Sequence, residues 1–246
     1  MDMLAKSKVK YIQTLGQKKS RNEGMEFIAE GPKIVKELLE TSTAQVTAIY
    51  ALKDWIEVNK KLLSKQHVVK ISSDELQKIS QLVTPNLVLA VVKKFDEVVA
   101  VQTKGTITLA LDNIQDPGNF GTLIRLADWF GIEQIVCAHG CADMYNPKAV
   151  QSTMGSIARV KIFYTDLEQW LAEQEDVRLY ATAVEGQDIT VMKKLTEGII
   201  IIGNESKGIQ PGIMKLAQTK ITIPKKGKAE SLNAAVAAGI VLSHLC

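Results

Sequence analysis

Short apolar runs alternate with segments that carry helix signals through the second half of the chain. Residues 106–111, 134–138 and 199–202 are long enough for buried strands and far below the roughly 20 residues of a membrane span. Strands separated by helices are joined by crossover connections, which place neighbouring strands parallel. The sequence therefore predicts an α/β fold with a mostly parallel sheet that helices cover on both faces.

The same signals recur in the first hundred residues. Strands are predicted at 27–29, 46–51, 67–71 and 87–92, and in the second half also at 160–164, 178–183 and 220–223. Helices are predicted at 31–40, 54–63, after Ser73, from the turn at Asp116 to Trp129, at 147–154, from Asp166 to Glu173, and after Ser231. The polar stretch 93–105 is interpreted as a linker. Two domains follow, at 1–98 and 99–246.

Composition excludes several classes of protein. The chain is 46% apolar and 23% charged, which is ordinary for a globular protein, and the basic N-terminal residues lack the apolar run of a signal peptide. We therefore expect a cytoplasmic protein without a membrane segment. The three cysteines lack the paired spacing of a metal site, so no metal is expected.

Basic residues are concentrated although the net charge is only +3. All charged side chains from Lys6 to Arg21 are basic, and a second basic cluster lies within residues 220–228. Such clusters suit the phosphates of a nucleic acid, but a charge run is also typical of a solvated face. The candidate RNA-binding residues are Lys18, Lys19 and Arg21.

Three segments combine glycines with polar residues next to predicted strands or helices. In the first, residues 113–125, a turn with a capping side chain explains Asp116 to Gly118, but not Arg125 on an otherwise apolar helix face. In the second, residues 200–209, Gly203 ends a buried strand and Glu205 follows. The third, residues 223–237, places Ser231 at a helix start, where backbone donors favour a polar partner. An ordinary loop and a capped core helix would also explain the second and third segments.

Together, and in this order, these segments resemble the motifs of the SpoU (TrmH-like) RNA 2′-O-ribose methyltransferases of the SPOUT superfamily. The intervening stretch 145–156 is also similar to that family, so the resemblance covers about residues 105–246. More loosely, residues 17–35 and 87–92 resemble the small ribosomal-protein-like RNA-binding domain that often precedes the catalytic domain.

This resemblance implies more than the residues alone predict. It implies a C-terminal trefoil knot, which ordinary topology rules would exclude, S-adenosylmethionine bound in that knot, and a homodimer formed through the catalytic domain. The implied cofactor contacts are Gly203, Ile223 and Leu232. The implied catalytic residues are Asn119, Arg125, Glu205, Ser231 and Asn233.

The predicted reaction is methylation of a ribose 2′-hydroxyl in structured RNA, with ribosomal RNA preferred over transfer RNA because of the N-terminal domain. Arg125 is expected to clamp a substrate phosphate and to orient and stabilise charge rather than to act as the general base, because a guanidinium stays protonated in proteins. The alternatives are a transfer-RNA 2′-O-methyltransferase, a methyltransferase acting on a base nitrogen, and an inactive RNA-binding homologue. A nucleotide-dependent oxidoreductase is disfavoured, because no Gly-x-Gly-x-x-Gly follows a strand.

Overall fold

A computed structural model describes residues 4–246, which pack into two compact units. Unit 1 contains the described residues up to Asp96 together with Asp143–Ala158, and unit 2 contains Glu97–Ala142 and Arg159–Cys246. The chain first passes from unit 1 into unit 2 after Asp96, two residues before the predicted domain boundary. The division differs from the predicted one because Asp143–Ala158, placed by sequence in the second domain, packs with the first.

The elements have the following bounds in chain order. The helices are α1 (Lys6–Thr14), α2 (Lys18–Gly24), α3 (Pro32–Glu40), α4 (Lys53–Val58), α5 (Ser73–Ile79), α6 (Pro117–Trp129), α7 (Pro147–Thr153), α8 (Leu167–Ala172), α9 (Pro211–Leu216) and α10 (Ala234–Leu245). The strands are β1 (Glu26–Glu30), β2 (Val46–Ala51), β3 (Val68–Lys70), β4 (Val88–Lys93), β5 (Ile107–Leu111), β6 (Gln134–Ala138), β7 (Lys161–Thr165), β8 (Leu179–Asp188), β9 (Gly198–Ile202) and β10 (Thr219–Thr222). Short 3-10 helices cover Ser156–Ala158 and Ile189–Val191.

Unit 1 is built on a mixed four-stranded sheet in the order β1-β4-β2-β3. Strand β4 runs antiparallel to both β1 and β2, whereas β2 and β3 are parallel. Its core joins α1 and α5 to the sheet through Ile12, Leu76 and Leu89. Helix α7 packs against β1 in the same unit.

Unit 2 contains a six-stranded sheet in the order β10-β8-β9-β5-β6-β7. Each pair of neighbouring strands in it is parallel. All five residues of β9 are buried, and since successive side chains point to opposite faces, both faces of the sheet are covered there. The predicted α/β fold with a mostly parallel sheet is confirmed. The trefoil knot stays a prediction.

Some local predictions were wrong or incomplete. Helices α1 and α2 were not predicted. The helix expected over 54–63 ends at Val58, where the Asn59 side chain donates to the Trp55 carbonyl (Nδ2 to O, 2.7 Å) and so competes for a backbone acceptor. Helix α5 is capped by Ser72 rather than Ser73, with Glu75 completing a capping box. None of the helices formed by residues 4–246 is long and apolar enough to span a membrane.

Candidate active site at the carboxyl ends of the central strands

The two central strands of unit 2 define where a ligand is expected. From β5 the chain builds β6 and β7 outward on one side, while β9, β8 and β10 lie on the other. The strand order therefore reverses between β5 and β9. Open parallel sheets bind ligands beyond the carboxyl ends of their strands at such a reversal. The loops that follow β5 and β9 carry the first and second sequence segments.

A chain of hydrogen bonds joins one residue from each of the three segments at this edge. The Asn119 amide donates to the Glu205 carboxylate (Nδ2 to Oε1, 2.6 Å), and the Asn233 amide donates to the Asn119 carbonyl oxygen (Nδ2 to Oδ1, 2.9 Å). Asn119 and Glu205 are half-buried and Asn233 is exposed. Residues 86 and 114 positions apart in sequence thus form one polar site.

The capping of two helices fixes Asn119 and Asn233, two of the three members of this chain. Asp116 caps α6 by accepting from the Asn119 backbone (N to Oδ1, 2.8 Å), which holds Asn119 in the first turn. Asn233 caps α10, because its Oδ1 accepts from the backbone nitrogens of Ala235 (3.0 Å) and Val236 (3.2 Å). The sequence assigned that cap to Ser231, and this is corrected. Ser231 is exposed and lies outside the helix.

Arg125 is not part of this hydrogen-bonded chain. It lies on α6 six residues after Asn119, so at about 100° per residue it points roughly 120° away around the helix axis. Its side chain is exposed and forms no ion pair with any residue in the described part of the chain. The guanidinium is therefore accessible to an anion from solution.

The predicted cofactor residues lie at strand ends and before α10. Gly203 directly follows β9, Ile223 directly follows β10, and both are half-buried. Leu232 is 45% exposed although it is apolar. A β-carbon on Gly203 would lie 2.4 Å from the Gly208 carbonyl carbon and 2.5 Å from the Ile209 nitrogen. The loop after β9 closes so tightly that only glycine fits there, whatever it binds.

These residues fit S-adenosylmethionine. Its sulfonium is cationic, and Glu205 places a carboxylate at this edge of the sheet. Its adenine ring needs apolar contact, which the exposed Leu232 side chain offers. Its polar groups need hydrogen-bonding partners of the kind that Asn119 and Asn233 carry. Among residues 4–246 no cluster of His, Cys, Asp or Glu is arranged to hold a metal ion.

Of the three predicted RNA-binding residues, Arg21 must be removed from the set. Lys18 and Lys19 are exposed on α2. Arg21 is 2% exposed, its Nη1 donates to the carbonyls of Leu15 and Gly16 (both 2.9 Å), and its Nη2 pairs with Asp143 Oδ2 at 2.6 Å. A buried guanidinium with these partners is not available to phosphate.

The sequence reasoning missed a polar network beneath the site. Asp112 follows β5 and is fully buried, and it accepts hydrogen bonds from Gln210 and Asn113. Asn204 reaches back to the same turn by donating to the Asn113 carbonyl. A charged residue directly after a buried strand was the one signal that could have revealed it.

Sequence profiles of known families match both parts of the chain. The profile of the SpoU rRNA Methylase family matches residues 106–243, and that of the MRM3-like substrate binding domain matches residues 6–90. A curated relative from Bacillus subtilis, the 23S rRNA (guanosine(2553)-2′-O)-methyltransferase RlmP, is 31% identical over 241 residues, covering 97% of this chain and 95% of that protein.

Solved structures agree over nearly the whole chain. A putative RNA methyltransferase of the TrmH family from Porphyromonas gingivalis has a TM-score of 0.85 at 31% identity, covering 99% of this chain and 98% of that one. An rRNA methyltransferase from Sinorhizobium meliloti, solved with S-adenosylmethionine bound, has a TM-score of 0.86 at 28% identity, covering 99% of this chain and 95% of that one. With its three motif segments gathered into one polar site, the chain belongs to the SpoU rRNA methylase family.

Proposed function

We propose that this protein transfers a methyl group from S-adenosylmethionine to a ribose 2′-hydroxyl of ribosomal RNA. The observation that carries the proposal is the chain Glu205–Asn119–Asn233, which draws one residue from each motif segment to the reversal point of the sheet. The reaction named for the Bacillus subtilis relative, which aligns over 97% of this chain, supports the choice of reaction.

When bound, the cofactor supplies a methyl group on a positively charged sulfur. The residues of this chain must then bring the hydroxyl into line with it, which can contribute much of the rate enhancement. The linked amides of Asn119 and Asn233 orient groups at the site, and the Glu205 carboxylate holds the Asn119 amide in one direction. Ser231, exposed just before α10, adds a hydroxyl that can contact the substrate.

Arg125 is assigned to the RNA phosphate next to the reacting ribose. Its planar guanidinium can bind a phosphate through two parallel hydrogen bonds. No carboxylate within residues 4–246 forms an ion pair with it. We assign it orientation and charge stabilisation rather than proton abstraction, since a guanidinium stays protonated in proteins.

Ribosomal RNA is favoured over transfer RNA by the N-terminal unit. The substrate-binding profile matches residues 6–90, and a relative that aligns over both units, from Bacillus subtilis, is named for 23S rRNA. The tRNA-modifying TrmH/SpoU enzyme of A. aeolicus aligns with only 57% of this chain. We place Lys18 and Lys19 among the residues that contact RNA, and we place the protein in the cytoplasm, where such RNA is found in bacteria.

We also propose that the protein acts as a homodimer through unit 2. Apolar side chains are exposed along one face of α6 and α10: Trp129 is 78% and Val236 52% exposed. Leu126 and Ile240 line a cleft of about 450 Å³ between the same helices, beside Asn119. An exposed apolar face of this kind is typical of a protein interface. Sedimentation of Val236→Asp against the parent protein tests it, and a parent that sediments as a monomer would contradict it.

The decisive experiment is to incubate the purified protein with separated ribosomal and transfer RNA and methyl-labelled S-adenosylmethionine. Mass spectrometry of the digested RNA should show a 2′-O-methylated nucleoside from ribosomal RNA. Asn119→Ala should lose this product, whereas Asn86→Ala, which removes an exposed amide in unit 1, should retain it. A methyl group on a base, or label confined to transfer RNA, would refute the proposal.

A further inference from the structure

Asp112 is a carboxylate with no access to solvent, located where β5 ends beneath the candidate active site. Its Oδ2 accepts from the Gln210 backbone nitrogen at 2.6 Å, and its Oδ1 accepts from the Gln210 side-chain Nε2 at 2.7 Å and from the Asn113 Nδ2 at 2.8 Å. All three donors are neutral amides. No Lys or Arg within residues 4–246 forms an ion pair with Asp112.

A second contact ties the other end of the same loop to the same turn. Asn204 Nδ2 donates to the Asn113 carbonyl at 2.8 Å, and Asn204 Oδ1 accepts from the backbone nitrogens of Ser206 (3.0 Å) and Lys207 (3.1 Å). The backbones of Asn204 and Gly208 also pair, at 3.1 and 2.9 Å. The loop over residues 203–210 is therefore anchored at both ends to Asp112 and Asn113, with Glu205 between the anchors.

This anchoring sets the distance between two motif segments. Residues 112–113 lead into α6, which carries Asn119, and the loop over 203–210 carries Gly203 and Glu205. The 2.6 Å hydrogen bond from Asn119 to Glu205 spans these two segments, so a shift of the loop relative to the turn would break it. Burying a carboxylate is unfavourable unless hydrogen bonds compensate. An apolar residue at position 112 would avoid that penalty, but would fix neither the direction nor the register of the loop.

We propose that Asp112 is a positioning residue of the methyl-transfer site, acting through Gln210 to hold the loop over 203–210 where Glu205 meets Asn119. The hydrogen-bond partners of the Asp112 side chain are Asn113 and Gln210, and neither belongs to the predicted catalytic set. The proposal rests on the proposed function in that the loop is taken to serve cofactor binding and catalysis.

The test exchanges the donor and acceptor of the side-chain pair. In Asp112→Asn, the new amide nitrogen faces other donors, so the loop should lose its anchor. We expect faster amide hydrogen exchange over residues 203–210 in the cofactor-free protein and weaker S-adenosylmethionine binding by calorimetry. Turnover should be roughly 10²-fold slower, since a displacement of about 1 Å costs that much. Adding Gln210→Glu gives the new amide at position 112 an acceptor, and should restore slow exchange, affinity and most of the turnover.

Two further variants keep the test decisive. Gln210→Ala removes one hydrogen bond from an exposed side chain and should fold even where Asp112→Asn does not, with the same changes at smaller size. Glu30→Gln is the matched control: Glu30 is a buried carboxylate of unit 1 that accepts from the Gln81 backbone at 2.9 Å. It should lower thermal stability while leaving cofactor affinity and turnover at saturating RNA unchanged.

The outcomes separate this proposal from the proposed function. If a folded Asp112→Asn or Gln210→Ala protein keeps normal exchange, affinity and turnover, the proposal is overturned. If the double variant regains thermal stability but neither affinity nor turnover, Asp112 is only structural and the proposal is likewise overturned. Hydrogen exchange and cofactor binding need no RNA, so they decide the role of Asp112 even if the methyl acceptor proves to be something else.

Discussion

The two units bury polar groups in different ways. In unit 1 the buried Arg21 is covered on all sides and pairs with Asp143, 122 positions away in sequence. In unit 2 the polar residues gather at strand ends, where the Asp112 network lies beneath a partly exposed chain of Glu205, Asn119 and Asn233. Both arrangements join distant segments of chain, but only the second leaves polar side chains open to a ligand. Burial and hydrogen bonding alone therefore do not identify a functional site; access to solvent separates the two.

The largest expected effect is on the folding of unit 1. Arg21→Ala leaves Asp143, whose side chain is 14% exposed, without its cation, and removing one partner of a buried pair typically destabilises by about 3–5 kcal/mol. Urea unfolding should show this loss. Lys19→Ala is the control, because Lys19 forms only an exposed 3.9 Å pair with Glu23 and should change stability by about 0.5 kcal/mol or less. Equal unfolding midpoints for the two variants would contradict the distinction.

The next largest effect is on turnover in unit 2. Arg125→Lys keeps the charge but loses the planar fork, so turnover should fall by roughly 10²-fold with unchanged cofactor affinity and stability. Steady-state kinetics and calorimetry measure both quantities. Arg178→Lys, at another exposed arginine of unit 2, should be silent. Near-normal turnover in the Arg125 variant would remove this residue from the site.

Removing one helix cap in each unit compares the two units directly. Asn233→Ala and Asn146→Ala each remove an N-cap side chain, of α10 in unit 2 and of α7 in unit 1. Each should lower the free energy of unfolding by about 1 kcal/mol. Only Asn233→Ala also breaks the contact with Asn119, so only it should slow methyl transfer in single-turnover assays. Equal turnover in the two variants would mean that Asn233 is merely a cap.

The smallest expected effect on stability comes from the exposed lysines of α2. Replacing Lys18 and Lys19 by Ala should change stability by about 0.5 kcal/mol or less. RNA affinity should weaken, and its salt dependence should flatten by about 0.7–0.9 log units per decade of salt for each phosphate that the variant no longer binds. The matched control is Lys60→Ala with Lys61→Ala, also exposed in unit 1. Parallel salt plots for the parent and the α2 variant would show that these lysines do not contact RNA.

Much of the fold followed from local pattern. Strands β2 and β6 were predicted with their observed bounds, because each is a short, mostly apolar run with turn residues nearby. The pairing of Asn119, Glu205 and Asn233 was implied only by resemblance, since no local signal connects residues so far apart in sequence. Once β5 and β9 are known to be neighbours, their shared edge explains why the first two segments meet.

The failures have a common cause. Arg21 was assigned to a solvent-exposed basic run because Lys18 and Lys19 lie shortly before it, yet its burial depends on Asp143 in a segment packed beside it. Helix α1 was missed because its lysines dilute the apolar pattern, although Ile12 is fully buried. Asp112 was passed over because a carboxylate after a strand has meaning only through its partner Gln210, which is 98 positions away.

The excursion of Asp143–Ala158 into unit 1 limits how this protein can be taken apart or recombined. The polypeptide passes between the units three times, after Asp96, Ala142 and Ala158. Unit 1 is therefore not one continuous stretch of sequence. A gene cut at residue 99 would produce a catalytic fragment whose Asp143 lacks Arg21 and whose Tyr145 lacks Phe27, a ring 4.9 Å away. An exchange of unit 1 between relatives would therefore succeed only if residues 143–158 were exchanged together with the N-terminal residues of that unit.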